Sequence, residues 1–167
     1  ARLEPRIHRQ RPVVGRLAAQ LEPCVVVLVA GRQRDGPGDG ERAICDAARA
    51  PERTLLGAEQ ERWLLDGLTR SRARWNVIAQ QVLMMDLDMS RTSDSAKRLT
   101  AMDTWGGYPA ARERLLKHLQ ERKITNAVVL TGDAHQHFAG DVLRTPEGSP
   151  VATEFLVTSA TSGGDGL

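Results

Sequence analysis

Aromatic side chains are scarce in this chain: three Trp, one Tyr and two Phe make 4% of 167 residues. Any core must therefore be packed mainly with aliphatic side chains, and the 41% hydrophobic fraction is enough for one. Cysteine is nearly absent too. Cys24 and Cys45 are not at CxxC spacing. Two cysteines build no disulfide framework and leave the redox compartment open. No long apolar run exists. "CVVVLVA" at 24–30 has seven residues, far short of the roughly 20 that cross a membrane, and no signal peptide is visible. Neither sign of charge dominates: a net charge of +2 gives no reason to expect a nucleic acid or a membrane surface as partner. Nor is there a basic or aromatic surface pattern to suggest a protein-binding module.

What is present is uneven. Residues 1–34 hold seven Arg against two acids, Glu4 and Glu22, a net of +5, so the remainder is net −3. Residues 1–23 show no period of 2 or 3.6. We expect 1–34 to be a poorly matched, out-of-frame or disordered leader, with residues up to about 31 foreign to the fold, and 35–167 to be the domain fragment. The opening Ala and the closing "TSATSGGDGL" read as the two ends of a fragment. "CVVVLVA" reads as a buried strand, and the Gly- and Pro-rich stretch after it as a loop.

Regular patterns begin at residue 54. "TLLGAEQERWLLDGLTRS" reads as an amphipathic helix, with Gly57 as N-cap, Gln60 at N3 and an apolar stripe of Trp63, Leu64 and Leu68. "RWNVIAQQVLMM" (74–85) reads as a strand. Residues 86–108 have no regular pattern, and a connection that long is usually functional or disordered. Pro109 suits the first turn of a helix whose apolar side is Leu115, Leu116 and Leu119. His118, near its C-terminus, reads as a surface residue favoured by the helix dipole. "NAVVLTG" (126–132) is a short buried strand, and the segments around "TPEGSP" read as a β-hairpin. The order is that of an α/β chain.

The chemistry concentrates where "NAVVLTG" ends, in "DAHQH". If the strand continues, Asp133 and His135 share a face, and His137 joins them. A carboxylate beside an imidazole suits a divalent or trivalent cation, hard oxygen and negative charge from one and nitrogen from the other. Gly132 allows a ligand close to the backbone. The plainer alternative is a turn capped by Asp133 on a solvated strand end. A second constellation, "MDTWGGYPAAR", brings Asp103, Trp105 and Tyr108 to the entrance of the second helix. These could shape a pocket or support metal ligands from behind, or could simply be a packed aromatic loop. "TSGGDG" lacks the Lys and helix of a phosphate loop, and no G-x-S-x-G elbow is present.

From Arg53 onward the chain resembles the alkaline phosphatase D (PhoD-like) family of metallophosphoesterases. Five segments carry the resemblance in order: "RTLLGAEQERWLLDGL", "WNVIAQQVLM", "MDTWGGYPAARERLL", "NAVVLTGDAHQHFAGDV" and "VATEFLVTSATSGGDG". The resemblance implies part of a calcineurin-like sandwich of β-sheets flanked by helices, incomplete at both ends. It implies hydrolysis of small phosphate monoesters or diesters by metal-activated water, with iron and calcium as the ions and a secreted or extracytoplasmic location. The family's Gly-Asp-x-His motif carries metal ligands, which assigns Asp133 and His135 that role and leaves His137, Asp103, Trp105 and Tyr108 as supporting candidates. Two departures stand out. Gly106 replaces the family's Asp in "DTWGGY", and the upstream Asp-x-Arg-Gln-Tyr-Arg segment survives only as Arg32-Gln33. Most of the family's metal ligands have no counterpart here, so the isolated chain is expected to be inactive. The rival readings are a non-catalytic remnant of that fold and a different metal hydrolase built on His135-x-His137.

Overall fold

The computed structural model describes residues 24–28, 40–90 and 94–157. The remainder of the 1–34 leader expected above lies outside the described residues. Its one described part, strand β1 (Cys24–Leu28), pairs in parallel with β3 (Trp75–Ala79). Strand β3 pairs in parallel with β5 (Ala127–Thr131), and β5 with β7 (Pro150–Leu156). Strand β6 (Phe138–Leu143) closes the order β1-β3-β5-β7-β6, antiparallel to β7. The expected hairpin is this β6–β7 pair. A two-stranded ribbon joins β2 (Glu41–Arg42) to β4 (Thr100–Ala101). The architecture is α/β, as expected, and no helix among the described residues is long and apolar enough to cross a membrane.

Among the described residues, two α-helices supply the connections. Helix α1 (Ala58–Arg70) starts at Gly57, whose φ of 80° is easily reached without a Cβ. Because glycine has no capping side chain, Gln60 does not complete a capping box. Thr54 takes over: its Oγ1 accepts from the Leu56 and Gly57 amides and donates to Glu61 Oε2 at 2.8 Å. Leu64 and Leu68, one turn apart, are buried, whereas Trp63 is 42% exposed. Trp63 therefore does not belong to the buried stripe: it lies about 100° around the helix from Leu64.

Helix α2 (Pro109–Glu121) has Pro109 in its first turn and buries Ala111, Leu115, Leu116 and Leu119. It ends in a Schellman motif. Lys123 takes a φ of 55°, its amide donates to Gln120 O, and the Ile124 amide donates to Leu119 O. Arg114 ties the two helices together, with Nε and Nη2 on Glu61 and Nη1 on Pro51 O. Burial alone would raise the Glu61 carboxyl, but the hydrogen bonds from Arg114 and Thr54 outweigh it and hold its pKa below the ordinary value. His118 is not merely solvated: its Nε2 lies 2.8 Å from Thr69 Oγ1 on α1.

The apolar run at 74–85 is only partly strand. β3 stops at Ala79, yet Val82, Leu83, Met84 and Met85 are all buried. Four of their backbone groups are satisfied by two buried side chains rather than by a neighbouring strand. Gln80 takes the Val82 amide and carbonyl, and Glu154 takes the Met84 and Met85 amides. A buried apolar loop of this kind has the composition of a strand.

One sheet face carries the core, with Ile78, Val129, Ala152 and Leu156 packed beneath the helical leucines. On the other, Leu130 and Phe155 are register partners and remain 43% and 44% exposed. Parallel sheets are normally covered on both faces, and exposed apolar patches promote association. Leu130→Lys with Phe155→Lys should therefore reduce light scattering and dye binding by the purified chain. The stability change should stay within about 1 kcal/mol, as for surface sites. Unfolding of the double variant would show that these side chains are part of a core.

Candidate metal site at the end of strand β5

Strand β5 delivers its chain end to the site and then stops. Thr131 is its last residue, and the Gly132 amide turns aside to Gln81 O at 3.3 Å. The Ala134 amide closes back on Gly132 O at 3.0 Å. Asp133 and His135 both adopt left-handed backbone, with φ of 73° and 54°. The expectation that they share the face of a continuing strand is thus corrected: the pleat ends before either residue. The bend sets them out with Ala134 between them. Ala134 packs against the core, while Asp133, His135 and His137 are exposed. The bend also removes the strand on which a His135-x-His137 pair would have been presented.

Left-handed backbone costs a residue with a Cβ roughly 1–2 kcal/mol, although Asp and His tolerate it better than most. Such backbone tends to persist at functional sites, where the surrounding structure enforces it. Here it falls on the two residues whose chemistry suits a cation. Asp133 offers carboxylate oxygens and His135 an imidazole nitrogen, a donor set that fits a metal ion. It is only part of one: among the described residues, no three His, Cys, Asp or Glu side chains are grouped as a metal would need.

The aromatic loop lies behind this strand end. Trp105 is buried in a 3-10 turn over Trp105–Gly107, and its backbone amide donates to Leu83 O at 3.1 Å. Its indole Nε1 donates to Gln80 Oε1 at 3.0 Å, and Gln80 Nε2 donates to Thr131 Oγ1 at 2.6 Å. Trp105 is thereby linked to the residue two positions before Asp133. Tyr108 is also buried, with the Arg53 guanidinium 4.2 Å from its ring centroid and Arg53 Nε on Gly107 O. Its surroundings are those of a packed aromatic. Asp103 is half-buried at the start of the same loop.

Sequence patterns missed the group at the centre of this region. Glu154 is 0% exposed. Its Oε1 accepts from the Thr131 hydroxyl at 2.5 Å and from the Met84 amide at 2.9 Å, and its Oε2 accepts from the Met85 amide at 2.6 Å. Arg112 lies close by, donating from Nε to Met84 O and from Nη2 to Leu143 O. Burial pushes the Arg112 guanidinium below its ordinary range, opposed by Asp86, Glu154 and Glu113. The available signal was alternation: Ala152, Glu154 and Leu156 all face the core, so an acid at the middle position must be satisfied internally.

Comparison with known proteins agrees with the five sequence segments. A profile of PhoD-like phosphatases matches residues 6–167. Alkaline phosphatase D of Bacillus subtilis (strain 168) is 40% identical over 138 residues, which is 81% of this chain and 23% of that protein. A solved structure of PhoD superimposes with a TM-score of 0.78 at 37% identity, covering 86% of this chain and 28% of the other. The chain thus spans about a quarter of the length of these relatives. On the profile match, the identity and the shared fold together, the chain belongs to the PhoD-like phosphatase family.

Proposed function

We propose that this chain is the portion of a metal-dependent phosphoesterase that contributes Asp133 and His135 to the metal centre, and that it does not catalyse hydrolysis alone. The observation that carries the reading is the pair of left-handed residues at the end of β5, which are also the Asp and His of the Gly-Asp-x-His motif. The substrates are small phosphate monoesters or diesters. When bound, the metal ions supply positive charge that acidifies water and offsets charge on phosphoryl oxygens. The family resemblance favours iron and calcium as those ions and an extracytoplasmic location. Within this chain, Asp133 provides the negative charge and His135 the nitrogen, while Trp105 holds the ground behind them.

Inactivity follows from the ligand set of the described residues, which is incomplete. Two side chains cannot hold ions in reacting geometry, and a misplacement of about 1 Å can already cost around 10²-fold in rate. The 167-residue chain should hydrolyse p-nitrophenyl phosphate and its bis ester no faster than metal ions without protein. Turnover that survived dialysis into metal-free buffer would show instead that the chain holds a complete site.

A further inference from the structure

Four buried groups form a continuous hydrogen-bonded chain with one direction. The Trp105 indole N–H donates to Gln80 Oε1, Gln80 Nε2 donates to Thr131 Oγ1, and the Thr131 hydroxyl donates to Glu154 Oε1. Donor chemistry fixes the order. An indole N–H can only donate, so Gln80 must turn its oxygen to Trp105 and its amide nitrogen to Thr131. Thr131 has one proton, and because it accepts from Gln80 it gives that proton to Glu154. The Glu154 carboxylate also receives the Met84 and Met85 amides, which anchors it to the buried loop after β3. Each bond polarises the next in such a chain, and the loss of one member leaves its neighbours buried and unpaired.

The members of this hydrogen-bonded chain lie in different segments. Trp105, its first donor, belongs to the loop containing Asp103 and Gly106, while Thr131, its third member, is the last strand residue before Asp133. We propose that Gln80, Thr131 and Glu154 are positioning residues: they register the Asp133–His135 bend against the Trp105 loop and so fix the orientation of the metal ligands. The proposal rests on the reading of Asp133 and His135 as ligands. It adds that the donors are set from behind by this chain rather than by β5 alone.

The test uses the 167-residue chain and amide NMR, with Mn²⁺ as the probe ion. Trp105→Phe removes the indole donor but keeps an aromatic ring. It should move the backbone amide resonances of Asp133 and His135. In a Thr131→Val background the same change should no longer reach them, whereas Thr131→Ser, which keeps the hydroxyl, should restore the response. Mn²⁺ affinity should fall about 10–100-fold in Thr131→Val, the usual cost of losing support behind a ligand, and recover in Thr131→Ser. Circular dichroism confirms that each variant is folded. If Trp105→Phe leaves the 133–135 amides unmoved, the proposal is overturned. It is also overturned if Thr131→Val keeps full Mn²⁺ affinity while Asp133→Ala loses it, because the chain would then serve packing alone. If neither Asp133→Ala nor His135→Ala alters Mn²⁺ binding, the ligand reading itself fails. The amide response then decides separately whether the bend is registered through Thr131.

Discussion

In a complete PhoD-like enzyme carrying this segment, Ala at the position of Asp133 or His135 should abolish turnover and lower the bound metal. Loss of Asp133 deletes negative charge that offsets the cation, and loss of His135 opens a coordination position to water. Losing a group that merely supports a ligand typically costs about 10–100-fold in affinity or activity, so losing the ligand should cost more. Backbone strain provides a control. Both residues have positive φ, where Ala is unfavourable and Gly is not. Asp133→Gly should therefore be as inactive as Asp133→Ala while melting at a higher temperature. If Asp133→Gly retained activity, the side chain would not be a ligand and the harm done by Ala would come from the bend. His118→Ala provides a second control. Its bond to Thr69 joins two helices, so about 1 kcal/mol of stability is at stake but no metal. Equal damage from His118→Ala and His135→Ala would mean that folding, not coordination, had been measured.

The fold was legible where periodicity and end signals agreed. Helix α2 could be read from Pro109 at its start and leucines at 115, 116 and 119, and the β6–β7 hairpin from its Pro- and Gly-rich turn. Difficulty arose where side chains replaced backbone partners. Residues 82–85 look like strand because they are apolar, but whether they pair depends on Gln80 and Glu154, and Glu154 lies 70 residues from Met84. The candidate site was legible as chemistry and not as geometry. The motif singles out Asp133 and His135 for their donor chemistry, but a strand extended through them does not describe their backbone, because β5 ends at Thr131 and both residues are left-handed. No period predicts where a strand breaks into left-handed backbone. Gly132 before the pair was the available hint, since it often marks such a break. Glu154 was readable from inward alternation in β7, yet its partners on β5 and in the loop after β3 were not.

The Trp105 loop gives the second large effect, at Gly107. A Cβ there would lie 2.0 Å from Met102 O and 2.5 Å from Met102 C. Both are backbone atoms, and neither segment is free to yield. The Met102 amide is bonded to Gly40 O, and the Trp105 amide to Leu83 O. Gly107→Ala should therefore cost more than about 3 kcal/mol, the upper range for overpacking, and should expose Trp105 as the turn opens. Gly106, where the resemblance implies an Asp, behaves differently. Its Cβ would meet Thr100 Cγ2 at 2.4 Å, a single side-chain methyl. Gly106→Ala should cost about 1–3 kcal/mol alone but well under that in a Thr100→Ser background, which removes the methyl; contacting residues couple in this way. The same background should be needed before an Asp can be accommodated at 106. Urea denaturation with tryptophan fluorescence measures all of these. A Gly107→Ala chain as stable as the parent would mean that the turn does not pass against Met102. A Gly106→Ala cost unaffected by Thr100→Ser would remove Thr100 as the obstacle to a side chain at 106.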